Sequence, residues 1–172
     1  MCVVHLDGVL NEEMDAYECV ECSMPVSEYS ETAVDEAYAA WKTATANRRL
    51  ARAKREVLKQ IEAYDTSSAV NGFVLNGAEV WLDFELRDRV YQGNERLQRI
   101  GRTDTTLWLG NKCYNLSIEQ AQNIISHIEA YAKDCYNVTA AHKKAVGELT
   151  SVEEVLAYDY TKGYPAKLTM TV

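Results

Sequence analysis

A chain of 172 residues that is 47% hydrophobic, with eight glycines and two prolines, can bury one ordinary core and is excluded from the disordered and fibrous classes. Its net charge of −8 is concentrated at one end, because residues 1 to 41 hold ten acids and no Lys or Arg, leaving 18 bases against 16 acids in the remainder. The acidic end opposes nucleic-acid binding, and the basic run that follows it (Lys42, Arg48, Arg49, Arg52, Lys54, Arg55, Lys59) has no interleaved aromatics.

The opening Met1-Cys2-Val3-Val4-His5-Leu6 has no basic leader region, and no apolar run approaches the ~18 residues needed to cross a bilayer. Synthesis and folding in a cytosol are therefore expected, with no membrane partner. The five cysteines form an odd set without framework spacing, so reduced thiols are the default.

Residues 1 to 31 read as an acidic N-terminal arm. Thr32-Ala33-Val34-Asp35 has the form of a capping box, and no Gly or Pro follows until Gly72. The span 32 to 65 is expected to be one long helix, with Val34, Tyr38, Trp41, Leu50, Val57, Ile61 and Tyr64 at helical spacing. Such a helix is longer than a small domain needs, so it either projects as a stalk or packs against copies of itself. Trp41, Leu50, Val57, Ile61 and Tyr64 are the expected interface residues. The acidic arm and the basic helix face would pair within one subunit or between neighbours, unless each is simply a solvated charge run.

Residues 66 to 165 contain a unit that occurs twice, a short hairpin running directly into a charged helix. The first copy turns at Asn76-Gly77, a dipeptide suited to a type I′ turn, and enters a helix at about Phe84 behind Asp83 as N-cap. Glu85 near the start of that helix, and Arg96, Arg99 and Arg102 near its end, complement the helix dipole. The second copy turns at Gly110-Asn111, and Ser117-Ile118-Glu119-Gln120 caps a second long helix over about 118 to 147. Its apolar stripe is Ala121, Ile124, Ile125, Ile128, Ala132, Cys135, Val138, His142 and Val146. A short helix follows Thr150-Ser151. Residues 166 to 172 form a C-terminal tail whose alternating Leu168-Thr169-Met170-Thr171-Val172 suits strand addition to a neighbouring sheet edge. The expected class is α+β, helix-dominated, with two long helices and two small β-hairpins each leading into a helix.

Catalytic signatures are missing: there is no P-loop, GxGxxG, GxSxG or HExxH. Asp83, Glu85 and Asp88 are expected at a helix start for capping reasons alone, so a non-enzymatic role is favoured. Cys19-Val20-Glu21-Cys22 is the one spacing that suggests a metal, and four zinc ligands would require Cys2 and His5 to join Cys19 and Cys22. The leading expectation has no cofactor. His142 falls on an apolar helix stripe, where a hydrogen-bonded core histidine is the ordinary outcome. Eleven tyrosines and three tryptophans against two phenylalanines suit half-buried interfaces, or serve as core anchors at Trp41, Trp81 and Trp108.

From about residue 55 to 165 the chain resembles an uncharacterised domain that recurs in tail-associated proteins of tailed bacteriophages and prophages. The resemblance rests on Asn76-Gly77, on Trp81-Leu82-Asp83-Phe84-Glu85-Leu86-Arg87-Asp88-Arg89-Val90, and on Leu107-Trp108-Leu109-Gly110-Asn111 with Leu116-Ser117. Leu149-Thr150-Ser151-Val152-Glu153-Glu154-Val155 and Gly163-Tyr164-Pro165 complete it, with Tyr-Pro where Trp-Pro is common. It implies a virion location and a tail or tail-fibre structural or adaptor role; the long helices add self-association as a homo-oligomer, with the acidic arm or terminal strand docking onto other phage virion proteins. It carries over no catalytic residues. The alternatives are a tail-fibre assembly chaperone and a zinc-dependent binding module.

Overall fold

The computed structural model describes residues 9–11, 16–18 and 31–172. Among these, β1 (Val9–Asn11) and β2 (Ala16–Glu18) pair as a small antiparallel hairpin. They precede α1 (Glu31–Asp65), β3 (Phe73–Leu75), β4 (Ala78–Val80) and α2 (Phe84–Arg99). Then come β5 (Asp104–Leu109), β6 (Lys112–Ser117), α3 (Ile118–Glu148), α4 (Val152–Leu156) and β7 (Thr169–Met170). The architecture is α+β and helix-dominated, with sheets of two or three strands. Among the described residues no helix is long and apolar enough to cross a membrane.

The chain packs as two compact units, Met1–Val57 with Leu149–Ala157, and Leu58–Glu148 with Tyr158–Val172. The division falls inside α1 rather than after it, which corrects the expectation of a separate helix over 32 to 65. The last turns of α1 are built into the second unit. Asp65 accepts a hydrogen bond from Thr139 Oγ1 at 2.6 Å, Lys143 pairs with Glu62 at 3.0 Å, and Tyr64 meets Tyr160 and Tyr164 edge to face. At its other end α1 already runs from Glu31, so Thr32 lies inside the first turn and is not the cap.

Both hairpin-to-helix units form as the turn and cap residues dictate. Asn76 (φ 49°) and Gly77 (φ 76°) are both left-handed, as a type I′ turn requires. Gly110 alone is left-handed in the second turn, the φ pattern of type II′. Asp83 Oδ1 accepts from the Leu86 N–H at 2.8 Å to start α2. That helix ends in a Schellman motif, with the Arg102 N–H on the Leu97 carbonyl, the Gly101 N–H on that of Gln98, and Gly101 at φ 81°. Ser117 and Gln120 exchange backbone and side-chain bonds at 2.9 and 3.1 Å to start α3. At α4 the cap is Ser151, in a capping box with Glu154.

One core joins the two hairpins in the second unit. Phe73 and Leu75 of β3, Leu107 and Leu109 of β5 and Leu116 of β6 bury against Ala121, Ile124, Ile125 and Ile128 of α3. Trp81 is partly buried against this core, whereas Trp108 lies on the outer face of its strand, 63% exposed. The tail is also part of this unit. β7 pairs in parallel with β3, with the Val74 N–H on the Leu168 carbonyl at 2.8 Å and the Asn76 N–H on that of Met170 at 3.0 Å. Lys167 ties the approach to β7 through Glu79 and the Ser68 carbonyl. The strand expected to add to a neighbouring sheet edge adds to the edge of β3 in the same chain.

Burial also revises the interface residues of α1. Ile61 is 0% and Val57 4% exposed, and Tyr64 is engaged by two tyrosines, so these three serve the chain's own packing rather than a free helix face. Ile61→Ala is expected to lower the unfolding free energy by about 2–5 kcal/mol in urea titrations, the ordinary cost of a large-to-small change in a core. A cost within 0.5 kcal/mol, typical of surface positions, would return Ile61 to the surface. Cys135 is buried and Cys113 exposed, and burial pushes the Cys135 thiol up from its ordinary range. Alkylation followed by peptide mapping should accordingly mark Cys113 in the native protein and Cys135 only after unfolding.

Candidate binding groove

The groove lies within the second unit, between α2 and α3. The Ile118 N–H bonds the Thr103 carbonyl at 2.9 Å, which sets the start of α3 beside the end of α2, so the two helices return along one another. Phe84, Arg87 and Tyr91 follow at i, i+3 and i+7 on one face of α2, and Ile125, Glu129 and Lys133 follow at i, i+4 and i+8 on α3. These six residues line a concave surface of about 480 Å³. Phe84 is 65% exposed at its mouth, and Tyr91 is partly open.

Arg87 is the fixed element of this groove. Its side chain is buried, with Nε donating to Glu129 Oε2 at 2.7 Å and Nη1 donating to the Leu82 carbonyl at 2.6 Å. The guanidinium lies 5.4 Å from the Trp81 ring centroid and 5.9 Å from that of Phe84. A planar cation that donates at two edges and stacks against aromatic rings is held in one orientation, which a lysine ammonium cannot reproduce. The Leu82 carbonyl is available because the chain is extended between β4 and the Asp83 cap, so the hairpin end, the helix start and α3 are linked through one side chain.

The groups whose titration is displaced lie elsewhere, each for a local reason. Burial pushes Tyr131 up to about 12 and raises Tyr164. The Thr161 hydroxyl, then Lys162, hold Asp159 at about 2. The Arg102 side chain lowers Asp104, and the Ser151 hydroxyl lowers Glu154 in its capping box. Catalytic centres tend to gather displaced acids and bases in one cleft. Here Tyr131, Cys135 and Tyr164 share one buried cluster and the displaced acids lie at a cap, a loop and the start of β5, none of them in the groove, which offers packing surface with a neutralised ion pair in its floor.

A second concavity, of about 510 Å³ within the first unit, holds Trp41 and Leu50 of the expected interface set, together with Tyr38, Lys42, Val152 and Glu153. Tyr38 and Trp41 stack with ring centroids 5.8 Å apart, and the Lys42 ammonium lies over Tyr38. The candidate zinc ligands Cys2, His5, Cys19 and Cys22 lie outside the described residues. Among the described residues no three His, Cys, Asp or Glu side chains converge as a metal site. His142 is a bonded histidine: Nε2 donates to the Lys162 carbonyl and Nδ1 shares a bond with the Tyr158 hydroxyl, both at 2.8 Å. Asp83 is the α2 cap, and Asp88 accepts from Gln92 on the same helix.

No protein-family model, curated protein or solved structure matches the chain.

Arg87→Ala should destabilise the second unit by about 2 kcal/mol, because it removes two charge-assisted bonds while the half-exposed Glu129 is left able to hydrate. Arg87→Lys should recover less than half of that loss. Urea unfolding followed by circular dichroism checks both, and full recovery by lysine would show that charge alone matters at this position.

Proposed function

We propose that the chain is a structural or adaptor protein of a tailed-phage virion, associated with the tail or tail fibre, acting by protein–protein assembly rather than by catalysis. The observation that carries this reading is the α2/α3 groove. An exposed Phe84 and a partly open Tyr91 stand around an arginine already locked by Glu129, Leu82 and Trp81, so the surface is preorganised and needs little ordering to receive a partner. Aromatic and arginine side chains at a concave surface are the residue types that dominate protein interfaces.

The phage context comes from the ordered motifs between about residues 55 and 165, whose pieces now have structural roles. Asn76-Gly77 makes the first turn, the stretch Trp81 to Val90 supplies Phe84, Arg87 and Asp88 to the groove, and Leu107 to Ser117 forms the second hairpin. Ser151 caps α4, and Tyr164 packs against Tyr64. The proposed partners are further copies of the chain and other virion proteins, and the proposed location is the finished particle after synthesis in the host cytoplasm.

Quantitative mass spectrometry of purified particles tests this reading. The chain is expected at a fixed copy number per particle, in a constant ratio to the tail proteins. Its presence in the infected-cell lysate together with its absence from finished particles would overturn the virion assignment in favour of an assembly chaperone.

A further inference from the structure

We infer that the occupant of the α2/α3 groove is a second copy of this chain, docked face to face about a twofold axis running along the groove. The inference rests on the reading of that groove as a protein-docking surface, and it names the partner and the geometry. In an isologous contact each residue of one copy meets the residue related to it by symmetry, so the surface must be its own complement. This one is. Arg87 and Glu129 neutralise each other in the floor, while an exposed acid, Asp88, stands on the α2 side and a base, Lys133, on the α3 side. Rotation about an axis along the groove sets α2 of one copy over α3 of the other, bringing Asp88 towards the second copy's Lys133 twice, with Phe84 of each copy entering the opposite groove.

Charge does not oppose association at this face, because the −8 of the chain is concentrated in residues 1 to 41 and the remainder carries 18 bases against 16 acids. The four charges that line the groove sum to zero, and the apolar side chains of Phe84 at one end and Tyr91 and Ile125 at the other flank the Arg87–Glu129 pair. On α1, Val57 and Ile61 are already buried in the chain's own packing, while Trp41 and Leu50 line the separate concavity of the first unit.

Sedimentation equilibrium of the full chain, with matched circular dichroism, tests the inference. The wild-type protein is expected to be dimeric. Phe84→Asp should weaken self-association by about tenfold or more, as truncation of a central aromatic anchor does. Asp88→Lys and Lys133→Asp should each weaken it, whereas the double variant D88K/K133D, which exchanges the two signs, should restore it to near the wild-type level. The charge exchange keeps the test sharp even if Phe84→Asp perturbs folding. A monomeric wild-type chain, a dimer indifferent to the single charge reversals, or a double variant no tighter than the singles would overturn the inference. None of these outcomes removes the chain from the virion, which particle composition decides separately.

Discussion

The second unit depends on the apolar stripe of α3, because neither of its sheets can stand alone. A two-stranded ribbon, or three short strands, has too few ladder bonds and too little apolar surface to persist in water without a packed partner. Ala121, Ile124, Ile125 and Ile128 supply that partner for both hairpins at once. Phe73, Leu75, Leu107, Leu109 and Leu116 arrive from three strands, and burying each large apolar side chain is worth about 1.5–3 kcal/mol relative to leaving it in water. The two hairpins thus share one helix, and the helix is in turn kept from exposing a long hydrophobic stripe.

The groove follows from the same arrangement. The first hairpin delivers Trp81 against the core and frees the Leu82 carbonyl just before the Asp83 cap, and the next turn of α2 places Arg87 where it reaches that carbonyl and Glu129 together. The candidate surface is therefore held by the elements that hold the fold. Its two walls are helices rather than loops, which gives the precision that preorganised recognition requires.

Local signals were legible in the sequence and long-range ones were not. Turn dipeptides, Asp83, the Ser117-to-Gln120 box and the α3 stripe each encode their structure within a few residues, and the element bounds follow them closely. Val57 and Ile61 show the limit of periodicity: a stripe on a helix reports that a face is covered without reporting whether the cover comes from the same chain. The alternation after Leu168 likewise indicates a strand but not its partner, which proved to be β3 in parallel. Trp108 had no such signal, since residues on both faces of its hairpin satisfy strand propensity. The groove itself had one: Phe84, Arg87 and Tyr91 share a helical face, and a cation between two aromatics on one stripe marks a place where the charge must be answered from elsewhere.

The pairing of β7 with β3 bears on how the protein is made. Met170 lies beside Leu75 across nearly the whole second unit, so this contact carries a high sequence separation and a correspondingly slow search. The two hairpins and α3 draw only on residues before 149, yet one edge of β3 is unpaired until residues 169 and 170 reach it. An unpaired apolar edge is a site for mispairing with another nascent chain. The bond between Lys167 and Glu79 fixes the chain just before β7, so the element that covers the β3 edge is held at its approach as well as along its length, and the edge it leaves in its place is only two residues long.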